Sequence, residues 1–307
     1  MKLGMVGLGK MGGNMVERLR AHGHEVVGFD AFSPATEVAS LADLVAALPA
    51  PRVVWVMVPS GEPTETTVTE LAERLEPGDV LIEGGNSNWE DSLRRSQAVT
   101  ARGIGYVDAG TSGGVWGKDN GYCLMVGGSE ADVAAVQPVF DALAPEGGFA
   151  HVGGAGTGHF TKMVHNGIEY GLMQAYAEGY ELLARSGMDI DATKALGAWR
   201  EGSVVRSWLL DLFVRALEQH PGLEGIAGVA KDSGEGRWTV DAAIARGVPV
   251  PVIASALFAR FSSQDPDSVA MKAIAALRDQ FGGHGVVPEE AAGEGDAPSA
   301  PRDDANR

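Results

Sequence analysis

In the first half of the chain, apolar residues come in short runs that end at glycine, proline or an acid. They are LGMV (3–6), HEVVGFD (24–30), RVVWVMV (52–58), DVLIEGG (79–85), GIGYVDAG (103–110) and YCLMVGG (122–128). Runs of this length, bounded by turn residues, predict strands. Between most of them the apolar positions shift to helical spacing, as in MGGNMVERLRAHG, PTETTVTELAERLE and NWEDSLRRSQAVTARG. Strands alternating with helices predict βαβ units and a mostly parallel sheet. The alternation stops near residue 150. From Phe160 to Phe281 the pattern is mainly helical, and KMVHNGIEYGLMQAYAEGYELLARSG (162–187) is its longest segment.

The first turn carries chemistry. Gly7-Leu8-Gly9-Lys10-Met11-Gly12 follows a strand and opens a helix. In that context Gly7 allows the tight turn, Gly9 lets backbone approach a pyrophosphate, and Gly12 lets helix and strand pack closely. The helix N-terminus then offers N–H groups to the phosphates. Asp30 lies 18 residues beyond Gly12, at the end of the second strand. An acid there accepts from a ribose diol and repels a 2′-phosphate, and FDAFSPA holds no Arg or Lys to offset it. NAD is therefore favoured over NADP. The expected architecture is an α/β Rossmann-type doubly wound sheet over 1–158, then an all-α domain over 159–285. A tail over 286–307 completes the chain.

Three further loops follow strands: MVPSGEP (57–63), EGGNSN (83–88) and DAGTSGGVWG (108–117). In doubly wound sheets ligands sit outside the carboxyl ends of the strands. Rich in Gly, Ser and Asn, these loops allow close backbone approach and neutral hydrogen bonds. Ser112, Gly113 and Gly114 suit a donor nest for a carboxylate.

The long helical segment raises a question. Lys162 and Glu169, seven residues apart, point almost the same way on a helix, with Asn166 between them and His165 beside the row. On an exposed face these groups would simply be solvated. Here they directly follow the glycine-rich VGGAGTGHF, which is expected to set the row against the α/β half, facing a nicotinamide. A base, an amide and an acid in one row suit proton chemistry, provided the lysine amine is made neutral and the carboxyl protonated by their surroundings.

Composition narrows the classes. Hydrophobic content of 45% and charge of 21% are those of a globular protein. The net charge of −17 argues against nucleic-acid binding. Part of the excess lies in VVPEEAAGEGDAPSAPRDDANR, which has six acids, two arginines and no aromatic residue, and reads as a disordered acidic tail. A single cysteine, Cys123, excludes an intrachain disulfide and favours a reducing compartment. No apolar run reaches the ~20 residues of a membrane helix, and MKLGMVGLG lacks the form of a signal peptide. A cytoplasmic enzyme without a metal is the expectation.

With these residues in view, the chain resembles the 6-phosphogluconate dehydrogenases, in particular their short bacterial NAD-preferring form, within the β-hydroxyacid dehydrogenase superfamily. The resemblance runs from residue 1 to about 286. It rests on GLGKMGGNM, EGGNSNW, the SGG of DAGTSGGVWG, GHFTKMVHNGIEYG, KDSGEGRWTV, ALFARFSS and RDQFGGHG. It implies oxidative decarboxylation of 6-phosphogluconate to ribulose 5-phosphate and CO2, with hydride transfer to NAD. Lys162 is implied as general base and Glu169 as the acid that protonates the enediol. Asn86, Ser112, Gly113, Gly114, His165 and Asn166 match substrate contacts, and Tyr170 and Arg260 match phosphate contacts. Arg278 and His284 match an arm that completes a neighbouring subunit's site, which implies a homo-oligomer. The implied cofactor contacts are Gly7, Leu8, Gly9, Lys10, Met11, Gly12, Asp30, Val58, Pro59 and Asn86. One departure stands out: Ser233 occupies the place of a family lysine that helps bind phosphate. Another β-hydroxyacid dehydrogenase, or a nucleotide-sensing protein without catalysis, are the alternative readings.

Overall fold

A computed structural model describes residues 1–282. His284 and the 286–307 tail lie outside the described residues. The fold comprises two compact units, Met1–Gly167 and Ile168 onward.

The first unit is built on strands β1 (Lys2–Val6), β2 (Glu25–Phe29), β3 (Val53–Val56), β4 (Val80–Glu83), β5 (Gly105–Ser112), β6 (Cys123–Gly128) and β7 (Phe149–Gly153). They form one sheet in the order β2-β1-β3-β4-β5-β6-β7. All pairs are parallel except β5 with β6. Helices α1 (Lys10–Ala21), α2 (Leu41–Ala46), α3 (Glu62–Arg74), α4 (Trp89–Thr100), α5 (Gly117–Asn120) and α6 (Glu130–Leu143) fall between the strands. The six strands expected from the apolar runs are all present. The seventh, β7, runs into the start of VGGAGTGHF and was not expected as a strand: FAHVG has little apolar pattern because it is an edge strand with mostly exposed residues.

Strands β3 and β4 are buried along their whole length, as a sheet covered on both faces requires. One face packs Met15, Val16 and Leu19 of α1 with Val133, Val136 and Phe140 of α6. The other packs Leu44 of α2, Val68 and Leu71 of α3, and Val99 of α4. The strand order reverses between β1 and β3, so a crevice opens where the loops after these strands diverge.

α7 (Thr157–Ala184) starts in the first unit and continues into the second. The second unit adds α8 (Ala192–Trp199), α9 (Trp208–Gln219), α10 (Glu235–Arg246), α11 (Pro251–Ser263) and α12 (Val269–Gly282). Leu196, Leu210, Val214 and Leu217 gather with Tyr176 and Tyr180 in one cluster. Tyr170, Ala256 and Leu257 form a smaller one with Val240 and Phe261. The all-helical second half matches its sequence pattern.

Candidate active site

The crevice at the reversal point is a cleft of about 910 Å³. It is lined by the β1–α1 turn, by Asp30, Ala31 and Phe32 after β2, by Met57–Ser60 after β3, and by Gly85 and Asn86 after β4. Gly7 has φ +94°, and a Cβ there would stand 2.4 Å from the Met57 carbonyl oxygen. At Gly12 a Cβ would stand 2.0 Å from the Gly7 oxygen. Both positions require glycine because strand, turn and helix touch through backbone. Gly9 differs: a Cβ there meets no protein atom within 4 Å, so its bare side is open toward the cleft. No side chain caps α1. Asp30 takes the Leu8 N–H on Oδ2 at 2.8 Å and the Phe32 N–H on Oδ1 at 2.9 Å, which fixes its carboxylate at the rim.

These residues fit a dinucleotide. A bare glycine and an uncapped helix start suit a pyrophosphate, and the fixed carboxylate suits a ribose diol. The expected cofactor residues Gly7, Gly9, Lys10, Met11, Gly12, Asp30, Val58, Pro59 and Asn86 all line the cleft. Leu8 contributes its N–H to Asp30 rather than a lining surface. Glu62, within the MVPSGEP loop expected there, lines it as well, and so do Thr66 and Thr67 from the first turns of α3. The spacing of the two threonines showed only an amphipathic helix start, without a sign of the cleft. Lys10 is the lone cation among the described lining residues.

A second group of polar residues lies on α7 and the end of β5. Lys162 is buried, 9% exposed, and its Nζ donates to Asn166 Oδ1 at 2.7 Å. The same oxygen lies 3.0 Å from His165 Nδ1. A carbonyl oxygen only accepts, so a neutral His165 carries its proton on Nδ1. Its Nε2, 3.4 Å from Ser112 Oγ, then accepts the serine proton. Gly113 and Gly114 follow directly with φ of +130° and +53°. The structure thus brings Ser112, Lys162, His165 and Asn166 together. Glu169 follows Lys162 by about two turns of the same helix.

Behind this group runs a buried polar network in which sequence reasoning saw no role. Asp108 accepts the Gly156 and His159 N–H groups at 2.6 and 2.8 Å, capping α7. Burial pushes its carboxyl up, against the pull of these donors. His159 Nδ1 lies 2.7 Å from Ser92 Oγ, which lies 3.2 Å from Glu83 Oε1. Glu83, fully buried, also receives Arg95 at 2.9 Å and the Tyr106 hydroxyl. Burial, and then the charge of Glu83, push the Tyr106 phenol well up. One signal was available: Glu83 ends the apolar run VLIE and Asp108 lies inside β5, where an unpaired charge is costly, but neither residue type names its partner.

In the second unit, Tyr170 is buried, its ring against the backbone of Gly236, where a Cβ would stand 2.6 Å away. The Arg260 guanidinium carbon lies 3.4 Å from the ring centroid, and its Nη1 donates to the Lys231 carbonyl at 3.0 Å. The Ser233 N–H donates to the Tyr170 hydroxyl oxygen at 3.2 Å, which leaves the phenol proton to be given elsewhere. The Ser233 hydroxyl donates to the buried Glu235 at 2.6 Å. Arg278 is exposed on α12, apart from this cluster's bonds. Among the described residues no group of three or more His, Cys, Asp or Glu is arranged to hold a metal. None of their helices is long and apolar enough to cross a membrane.

Comparison with known proteins places this geometry. The family model described as "NAD binding domain of 6-phosphogluconate dehydrogenase" matches residues 2–153. That of the "6-phosphogluconate dehydrogenase, C-terminal domain" matches residues 158–280. A Haloferax volcanii protein named NAD(+)-dependent, decarboxylating 6-phosphogluconate dehydrogenase is 42% identical over 302 residues, covering 94% of this chain and 100% of its own. Among solved structures, Plasmodium falciparum 6-phosphogluconate dehydrogenase aligns with a TM-score of 0.76 at 25% identity. That alignment covers 92% of this chain but 65% of the longer Plasmodium one. Mycobacterium tuberculosis 3-hydroxyisobutyrate dehydrogenase aligns with a TM-score of 0.67 at 25% identity, covering 90% of this chain and 99% of its own. Two family models that together span nearly the whole described chain, and a full-length relative at this identity, make the chain a member of the 6-phosphogluconate dehydrogenase family.

Proposed function

We propose that the protein oxidises and decarboxylates 6-phosphogluconate to ribulose 5-phosphate and CO2, using NAD. The observation that carries this reading is the buried Lys162 amine held on Asn166 Oδ1 beside the Ser112–His165 pair. NAD, bound along the cleft, supplies the acceptor for one hydride. Lys162, as the neutral amine, takes the proton of the C3 hydroxyl as hydride leaves C3. The resulting 3-keto acid loses CO2, and the Lys162 ammonium stabilises the oxygen at C3 by returning its proton. Glu169 then gives a proton to the carbon that becomes C1 of ribulose 5-phosphate, while Lys162 takes the enediol hydroxyl proton back and leaves the ketone. Asn86, Ser112, Gly113, Gly114, His165 and Asn166 hold the carboxylate and hydroxyls.

Tyr170 and Arg260 take the phosphate, joined by Arg278 and His284 from a second copy of the chain. Exposed apolar side chains on the second unit, among them Leu182, Val252, Phe258 and Leu277, support a homo-oligomer. In this reading residues 1–158 bind cofactor, residues 159–285 bind substrate and the partner copy, and the enzyme works in the cytoplasm. The test is direct: purified protein is given 6-phosphogluconate with NAD or NADP in parallel. NADH should form, and faster than NADPH. Equal or faster reduction of NADP would contradict the role given to Asp30, and reduction of neither would contradict the function.

A further inference from the structure

Three residues of β5 with the same parity meet α7 in order. Asp108 binds the Gly156 and His159 N–H groups. Gly110 lies under Lys162: a Cβ on it would stand 2.5 Å from the lysine Cβ and 2.8 Å from the Gly158 oxygen. Ser112 Oγ lies 3.4 Å from His165. Alternate residues of a strand share a face, so one face of β5 acts as a ruler against the first turns of α7. Gly158 closes the contact, since a Cβ there would stand 2.5 Å from the Asp108 carbonyl oxygen.

We infer that Asp108 is a positioning residue for Lys162: its carboxylate sets where α7 begins on β5, and so where the amine sits. Lys162 is one turn beyond His159, and a helix transmits a displacement of its first turn almost rigidly over that distance, about 5 Å. Two N–H donors on one carboxylate fix position and rotation together, which one acceptor does not. The charge is also matched to its place, because a helix start favours an anion. Around it, His159 is tied through Ser92 to Glu83, and Glu83 to Arg95 and Tyr106. The capped turn therefore has little freedom to drift.

A carboxylate that served only to stabilise the fold would leave the chemistry of the folded enzyme alone. This inference rests on the proposed role of Lys162 as base. The test compares wild type with Asp108→Asn, in which an amide NH2 faces one of the two N–H donors and forces the helix start to move. Displacing a reacting group by about 1 Å costs roughly a hundredfold in rate. Asp108→Asn should therefore lower kcat/KM for 6-phosphogluconate by about tenfold to a hundredfold. The isotope effect with substrate deuterated at C3 should rise, as hydride transfer becomes the slow step. NAD affinity, measured by fluorescence titration, should change little, because the cleft belongs to the loops after β1 to β4. A crystal structure of the variant gives a readout that needs no turnover: Lys162 should be shifted against β5.

If Asp108→Asn does not accumulate as folded protein, Asp108→Glu asks the same question with the charge kept, since its longer side chain moves the carboxylate against the Gly156 and His159 N–H groups. A folded variant with an unmoved Lys162 and an unchanged isotope effect overturns the inference. Wild type that reduces no NAD with 6-phosphogluconate overturns the proposed function instead, and the crystal structure still decides the positioning.

Discussion

At Lys162 the chain holds a primary amine in a buried setting with one amide oxygen at 2.7 Å. Glu169 follows on the same helix, and the two residues are proposed to act at different steps. Lys162→Met should lower turnover by about a hundredfold to ten-thousandfold, the usual worth of general base catalysis, by slowing hydride transfer itself. Glu169→Gln should slow steady-state turnover by about a hundredfold while one enzyme equivalent of NADH still forms rapidly on mixing. Rapid-mixing absorbance of NADH separates the two; identical time courses would contradict the division of roles. At the cleft rim, Asp30→Asn weakens acceptance from the ribose diol. A charged hydrogen bond is worth about 1.5–3 kcal/mol, so the KM for NAD should rise by about tenfold to a hundredfold. The preference over NADP should shrink with it. Lys162, Asn166 and Asp30 were legible because their types and spacing carry chemistry. Asp108 was not assigned, because its partners are backbone N–H groups 48 and 51 residues away.

Among elements, α3 and α4 are joined by a charge cluster that bears on pH. Arg94 donates to both oxygens of Glu65 at 2.7 Å, and Arg95 adds a third bond at 2.8 Å. Chiefly the Arg94 bonds, with Arg95, hold the Glu65 carboxyl down at about 2, from an ordinary 4.5. A carboxyl lower in the folded than in the unfolded chain stabilises above the unfolded pKa. Its contribution is complete above that 4.5 and is lost as pH falls toward 2. Glu65 is partly exposed, so solvent screens the cluster. Glu65→Gln should cost about 1 kcal/mol at neutral pH, and the gap between variant and wild type in thermal melts should close toward pH 2. A gap independent of pH would mean that packing, not charge, joins the helices. Strands β3 and β4 were readable from their unbroken apolar runs, and α7 from its long helical pattern. β7 was not, because an edge strand with exposed residues needs no apolar run and is defined by its pairing with β6.

At the scale of the whole molecule, the chain matches the full length of its Haloferax relative and 65% of the Plasmodium chain. The α/β half followed from strand and helix alternation alone. The substrate did not: it depends on the family match, because Tyr170, Ser233, Glu235 and Arg260 come from separate segments whose meeting no local pattern announces. A relative fold, 3-hydroxyisobutyrate dehydrogenase, shares the architecture, so the decisive distinction is loss of CO2. The most direct measurement follows labelled CO2 from 6-phosphogluconate carrying isotope at C1, together with NADH, in one reaction. One CO2 is expected for each NADH. NADH formed without matching CO2 would contradict the proposed function and make the protein a dehydrogenase that leaves the carboxylate in place.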